Sequence, residues 1–516
     1  MSHPSSPRAP NILLIMSDQQ RADCFGFEGR KLRTPHLDRL ARQGTRFSAC
    51  ITSNPVCQPT RASILTGQLC LTHGVHDNGI DLDPAVGEQG FAGTLADKAG
   101  YDTAFFGKAH FATYHTFVPT GSPECVRSSA NFGPDWFGPY MGFQHVEMML
   151  IGHNWFLPET PPFGLHYEHW FHADGEGAEK NRLYQLGNGD THGAAQTWHS
   201  QLPVAWHNSS WTADRAIEWL RQPARHERPF CAWVSFPDPH HPFDCPEPWS
   251  RLHRPEDVDL PVHRSRDLER RPWWHKAAVE NEPQGPAENV ATRKQFSRIA
   301  PQTDAQLREI IANTYGQIAL IDHQVGRILN ALDASGLADN TLVIFTSDHG
   351  DWLGDHGLIL KGPMLYEGLL RVGLIVRGPG VAAGQVVDQP VSTLDLSATF
   401  LDLAGVDAQL TQHGTSLRAL LAGQDAPRAC ARCEWELLPG RVGVGLSLRC
   451  VRTAHAKLTL ELKTGAGEMY DLRADPHEMH NVFDDPSHAA LRERLTALIH
   501  ARPDDAGPLR QAVGTA

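Results

Sequence analysis

Five places in the 516-residue chain carry side chains suited to chemistry on an anion. The first is Cys57-Gln58-Pro59-Thr60-Arg61, a thiol with a proline two residues on and an arginine four residues on. Proline suits the first turn of a helix, where its missing N–H costs nothing. Gly67 can end that helix. Cys57 then sits at a helix N-terminus, where backbone N–H groups and the helix dipole favour negative charge. Arg61, about one turn on, adds a fixed positive charge and up to five donors. A nucleophile working on a tetrahedral oxyanion needs such a place. The five-residue pattern alone fits a buried capping cysteine equally well, so the weight falls on the other four places. These are Asp18-Gln19, Lys108 with His110, His240, and Asp348-His349.

Each of the four follows an apolar run of strand length. Residues 11–16, 101–106, 230–236 and 342–346 read as strands buried on both faces of a parallel sheet. Charged residues just past the carboxyl ends of such strands sit where ligands bind in open α/β sheets. A single Asp there is ordinarily a turn or cap residue. Four ends of one sheet together point to a site. Residues 47–52 and 372–376 read as further strands. Helices are predicted over 34–44, capped by Thr34 and Gly44, and over 94–99, 211–221 and 392–403. The longest helix is predicted over 304–335, where Leu307, Ile310, Ile311, Ile318, Ile321, Val325, Ile328, Leu329 and Leu332 recur at helical spacing. Residues 111–207 and 246–303 lack periodicity and read as long loops over the active face, the usual seat of specificity. From about residue 426 the pattern changes to short strands (442–451, 457–461) and a terminal helix at 489–499. The reading is an α/β domain over 1–425 and a small C-terminal α+β subdomain, with an antiparallel sheet and terminal helix, over 426–516.

Composition narrows the function classes. A formal net charge of −13 argues against nucleic acid or an anionic membrane surface as partner. It leaves room for a small anionic substrate, because local charge in a pocket matters more there. No apolar run approaches the roughly 18 residues of a membrane helix. Residues 1–8 read as a short polar tail leading straight into a strand, with no signal-peptide core, so a cytoplasmic location is expected. The ten cysteines are scattered and form no disulfide framework. Cys430 and Cys433 make a lone C-x-x-C with no second pair for zinc. Asn208-Ser209-Ser210 matches a glycosylation sequon that means little without secretion.

The stretch from Cys57 through Arg61, continued by Ala62-Ser63-Ile64-Leu65-Thr66-Gly67, resembles the signature of the type I sulfatases. So do residues 11–19, Gly107-Lys108-Ala109-His110, Pro239-His240-His241-Pro242, residues 346–357 with Lys361, and Met469-Tyr470-Asp471-Leu472 near the C-terminus. The resemblance implies an alkaline-phosphatase-like fold, with a central, mostly parallel sheet flanked by helices. It implies that Cys57 is oxidised to a formylglycine aldehyde by a formylglycine-generating enzyme. It also implies one divalent metal held by Asp18, Gln19, Asp348 and His349, with the formylglycine at Cys57 completing the site. Many sulfatases have Asp where this chain has Gln19, and Asn where it has His349. The related phosphonate monoester hydrolases share the Asp-Gln and Asp-His pairs, but lack the Gly-Lys-x-His segment. Two carboxylates, one amide oxygen and one imidazole suit Mn²⁺ better than Ca²⁺.

The mechanism this implies begins with a hydroxyl of the aldehyde hydrate attacking sulfur, or phosphorus, in line. Lys108, Lys361 and Arg61 offset the growing negative charge. His240 protonates the leaving oxygen with help from Lys361, and His110 takes the proton of the second hydroxyl. Asn78 hydrogen-bonds the substrate, or is simply a turn residue before Gly79. The expected function is hydrolysis of a small sulfate monoester of aryl sulfate type. The alternatives are a phosphonate monoester or phosphodiester hydrolase with the same nucleophile, and a non-catalytic binding protein that keeps the fold. The oligomeric state, monomer or homo-oligomer, stays open.

Overall fold

The computed structural model describes residues 9–152 and 157–515, so the polar tail at 1–8 lies outside the described residues. Strand β1 (Asn11–Ser17) is buried along its whole length. Its alternation explains why: Ile12, Leu14 and Met16 enter one apolar cluster, while Leu13 and Ile15 enter another on the opposite face. A strand covered on both sides reads as a continuous apolar run. The other strands are β2 (Thr45–Ile51), β3 (Asp102–Lys108), β4 (His145–Met149), β5 (Phe230–Ser235), β6 (Thr341–Ser347), β7 (Arg371–Arg377), β8 (Gln385–Val387) and β9 (Val391–Ser392). They form one sheet in the order β4-β3-β5-β1-β6-β7-β2-β8, with β9 also pairing β2. The pairs among β4, β3, β5, β1 and β6 are parallel; β7 runs antiparallel to both its neighbours.

Helices cover both faces. Asp304–Ala334 and Asn208–Leu220 pack on one side through residues such as Ile321, Val325, Ala213 and Ile217. Cys57–Thr66, Phe91–Ala99 and Asp395–Ala404 pack on the other through Ile64, Leu95 and Phe400. The long helix begins as its composition suggests, with a capping box between Thr303 and Gln306.

A second sheet, antiparallel, follows in the order β10 (Ala431–Leu437), β11 (Leu446–Arg452), β12 (Ala456–Glu461) and β13 (Gly467–Asp471). The helix Ala489–His500 covers one of its faces with Leu495 and Ile499. Trp435, Leu437, Leu448 and Tyr470 pack instead toward Trp352, Leu365 and Tyr366 of the large unit. This contact carries C-terminal residues to the rim of the pocket described below.

The structure corrects several local expectations. Region 111–207 holds edge strand β4, whose half-exposed pattern hid it, and the helices His166–His172 and Gly177–Gln185. Region 246–303 holds the helices Trp273–Glu280 and Ala287–Phe296. Thr34 does not cap its helix: its hydroxyl accepts from the Gly26 N–H and donates to Asp38. The cap comes from Asp322, distant in sequence, which accepts the N–H groups of His36 and Leu37. Strand β11 starts at Leu446, because residues 439–442 turn helically and Gly443 takes a left-handed φ of 78°.

Candidate active site

Register builds the floor of the site. Ser17 pairs with Ser347, so Asp18 and Asp348 emerge side by side from the ends of β1 and β6. The Gln19 backbone, at φ 64°, donates its N–H to Asp348 Oδ1 at 3.0 Å. A left-handed glutamine is strained, and such strain gathers at functional sites. The Gln19 side chain is oriented by Asp351, which accepts from Nε2 at 2.6 Å. That leaves Oε1 turned to the Lys361 ammonium at 2.9 Å. His349 Nδ1 lies 2.8 Å from the Gly350 carbonyl, which can only accept, so Nε2 is the nitrogen that faces the cluster and carries the lone pair whenever the ring is neutral; burial works against a charge on the ring, but Asp348 and Cys57 raise its pKa.

Cys57 is the first residue of its helix, and Pro59 the third. Its Sγ lies 3.2 Å from His349 Nε2 and 3.5 Å from Asp18 Oδ1. Ligand atoms of Asp18, Cys57, Asp348 and His349 all fall within 4.8 Å of one another, and all four residues are buried. Arg61 holds this floor together from beneath. It donates to Asp348 Oδ2 at 2.9 Å, Asp18 Oδ2 at 3.2 Å, the Lys108 carbonyl at 2.7 Å and Ser235 Oγ at 2.8 Å. Fully buried, it does not line the pocket. Its charge therefore reaches the site through the two carboxylates it binds.

Above the floor lies an open pocket lined by Cys57, Asn78, Lys108, His110, His240 and Lys361 among others. Lys361 Nζ stands 3.2 Å from Cys57 Sγ and 2.8 Å from His240 Nε2. His240 Nδ1 donates to the His241 carbonyl at 2.7 Å, which fixes Nε2 as the atom facing the lysine. Lys108 Nζ reaches Asp18 Oδ2 at 2.5 Å and Cys57 Sγ at 4.0 Å. The ring nitrogens of His110 have no hydrogen-bond partner among the described residues, although the side chain is buried. Its backbone is left-handed and pinned by Glu124, whose carboxylate takes the N–H groups of His110, Phe111 and Ala112. Asn78 Oδ1 accepts from the Gln58 N–H, so the group it can offer the cavity is its amide NH₂. It stands in the turn before Gly79 and lines the pocket as well.

The electrostatics follow from burial and these contacts. Burial works against the Asp18 charge, but Lys108, Arg61 and Lys361 outweigh it and hold the carboxyl well below its ordinary value. Burial and the adjacent Asp18 charge push Asp348 up. Burial and Asp18 also raise the Cys57 thiol, yet Lys108, Lys361 and His349 bring it down to about 6. Burial, with Lys108 and Arg61, keeps His110 far below the usual imidazole range and therefore neutral. Burial pushes the Glu124 carboxyl up to about 7 despite its hydrogen bonds.

The donor set fits a divalent cation. Two carboxylates, an imidazole lone pair and an amide oxygen converge where like charges crowd one another. The Lys361 ammonium already contacts Gln19 Oε1, His349 Nε2 and Cys57 Sγ, as positive charge drawn to that place would.

Sequence reasoning missed Asp351, Glu124, His241, Arg293 and Arg441. Asp351 stands three residues past Asp348, and that proximity was the signal available for it. It accepts the Leu353 and Leu360 N–H groups as well as Gln19. As an outer partner that orients a ligand, its replacement in Asp351→Ala should weaken cation affinity roughly 10- to 100-fold. Titration of the cation, followed by melting temperature, measures this.

The buried cluster at the carboxyl ends of a mostly parallel sheet agrees with the alkaline-phosphatase-like fold that the sequence resemblance implied. Comparison with known proteins narrows the class. The sulfatase family model matches residues 10–406, and the model for the C-terminal part of N-sulphoglucosamine sulphohydrolase matches residues 354–504. The uncharacterised sulfatase YidJ of Escherichia coli (strain K12) is 30% identical over 493 residues, covering 95% of this chain and 86% of that one. An arylsulfatase of Clostridium perfringens (strain 13 / Type A) is 28% identical over 503 residues, covering 95% and 92%. Among solved structures, a phosphonate monoester hydrolase of Agrobacterium radiobacter superposes with a TM-score of 0.75 at 27% identity, covering 96% and 97%. The chain belongs to the sulfatase family.

Proposed function

We propose that the protein hydrolyses a small sulfate monoester of aryl sulfate type, using a formylglycine made from Cys57 by a formylglycine-generating enzyme and one divalent cation, with Mn²⁺ favoured over Ca²⁺. The observation that carries this reading is the convergence of Cys57 Sγ, Asp18, Asp348 and His349 within 4.8 Å at the floor of a cationic pocket. A binding protein that had lost catalysis would have no need of Lys108, His110, His240 and Lys361 around that one atom.

The cation would be held by Asp18, Gln19, Asp348 and His349, with residue 57 completing the set. When bound, it supplies fixed positive charge that lowers the proton affinity of an oxygen beside it. An aldehyde hydrate at position 57 supplies the attacking hydroxyl. Lys108 and Lys361 then flank the reacting group and offset charge on its oxygens. The proton held between Lys361 Nζ and His240 Nε2, 2.8 Å apart, is the one delivered to the leaving oxygen. His110, neutral and with bare ring nitrogens, takes a proton from the residue-57 side. Asn78 orients the ester through its amide.

A second reading is hydrolysis of phosphonate monoesters or phosphodiesters, as the main or a side activity. Gln19 and His349 favour it, and so does the likeness to the phosphonate monoester hydrolase. Turnover of 4-nitrophenyl sulfate against a phenyl phosphonate monoester, each with Mn²⁺ and with Ca²⁺, decides between them. Sulfate turnover is expected to lead, with Mn²⁺ the better activator; phosphonate turnover far in excess would reverse the order.

We place the protein in the cytoplasm. What supports this is the scatter of the ten cysteines along a long chain, which is not the dense spacing of a disulfide framework. No helix among the described residues is long and apolar enough to cross a membrane. The division into units at 1–425 and 426–516 is supported by the two separate sheets.

A further inference from the structure

The pocket does not end at the catalytic groups. It is lined as well by the helix Ala287–Phe296 and by the turn before β11, which bring in Arg293 and Arg441. Both side chains are only 7% exposed. Arg441 lies over the Trp435 ring and pairs with Asp77 at 2.8 Å. Among the described residues, no carboxylate stands within ion-pair distance of Arg293; one of its nitrogens donates to the Thr515 carbonyl at 2.5 Å, and its Nε has no partner there. Burial and the Arg441 charge bring its pKa down to about 9, the direction expected of a guanidinium short of counter-charge. Among the described residues, these two buried guanidiniums thus share the carboxylate of Asp77, which pairs with Arg441 and acts on Arg293 from farther off. Just beyond, Arg266 and Arg298 line an adjoining cavity that shares Lys361 and Arg441 with the first. They too are held by backbone carbonyls, those of Gly357, Ile299 and Val279.

A buried guanidinium without a counter-ion is costly. A tether to Thr515 needs one donor, whereas arginine offers five in a planar fork that matches an oxyanion. In a chain of net charge −13, these guanidiniums line the same pocket as Cys57. We propose that Arg293, with Arg441 beside it, binds a second oxyanion of the substrate, so that the ester cleaved carries a further carboxylate, sulfate or phosphate group away from the scissile one. The proposal deepens the hydrolase reading and rests on it for the position of the scissile group.

Binding of non-hydrolysable probes tests it without depending on which ester is turned over. Benzenesulfonate carries one anion; 2-, 3- and 4-sulfobenzoate carry a second at three spacings. Calorimetry on the metal-loaded protein should show at least one sulfobenzoate binding about 10-fold or more tighter than benzenesulfonate, which corresponds to about 1.4 kcal/mol. In Arg293→Gln that preference should vanish while benzenesulfonate affinity stays within about 2-fold, and Arg293→Lys should keep part of it. Unchanged benzenesulfonate affinity also shows that the variants are folded. No preference in the wild type, or a preference that survives in Arg293→Gln, overturns the proposal. Failure of sulfate turnover with the binding preference intact would count against the sulfatase reading alone.

Discussion

Cys57→Ala is expected to lower kcat toward an aryl sulfate by roughly 10⁴-fold or more, the scale of loss when an enzyme's nucleophile is removed. Geometry leaves no substitute. Position 57 alone brings an atom to within contact of His349 Nε2, Asp18 Oδ1 and Lys361 Nζ together. Two hydroxyls at the same edge of the sheet serve elsewhere: Ser235 Oγ accepts from Arg61, and Ser347 Oγ donates to the Ser17 carbonyl. The fold should survive, because Ala keeps the helix start and the side chain removed is small. A melting temperature near that of the wild type, with activity gone, is the expected pair of readings. A Cys57→Ala protein with its activity intact would remove position 57 from the chemistry.

The second large effect is expected from Asp348→Asn. The exchange keeps the shape and most hydrogen bonds of the side chain but removes one of the two carboxylates that face the cation site. Loss of activity should exceed the roughly 10- to 100-fold typical of an outer partner such as Asp351. Stability gives a separate readout. A cation that binds the folded state alone stabilises it by about 2.7 kcal/mol at 100 times its dissociation constant, so Mn²⁺ should raise the melting temperature of the wild type. It should do little for Asp348→Asn. In chelator the two proteins should melt close together: the weakened Arg61 Nε contact, 2.9 Å in the wild type, is offset by relief of repulsion from Asp18. Equal stabilisation of both proteins by Mn²⁺ would place the cation elsewhere.

The parts of the site set by strand ends were legible from residue order. Apolar runs buried on both faces mark β1, β3, β5 and β6, and each residue singled out after them stands at the same edge of the sheet. Asp18 and Asp348, 330 residues apart in sequence, meet because parallel register aligns Ser17 with Ser347. What escaped was set by tertiary contact. Glu124 serves His110 through three backbone N–H groups, and an acceptor for backbone donors leaves no side-chain pattern to find. Arg293 belongs to a short helix, Ala287–Phe296, whose composition reads as exposed and polar; its burial comes from the C-terminal segment folding across it. Arg61 was read as positive charge beside residue 57, and only the folded chain shows where its donors go, to Asp18, Asp348, Lys108 and Ser235. Strand β4 was hidden by its place at the sheet edge, where one face meets solvent and the sequence loses its apolar continuity.

The central claim is that the atom at position 57 acts as an aldehyde and not as a thiol. Protein made with and without a co-produced formylglycine-generating enzyme yields preparations that differ in the extent of conversion. Mass analysis of the peptide spanning position 57 gives the aldehyde fraction of each. The account predicts that specific activity in Mn²⁺ rises in proportion to that fraction and extrapolates to near zero for the all-thiol protein. An all-thiol preparation as active as a converted one would contradict it.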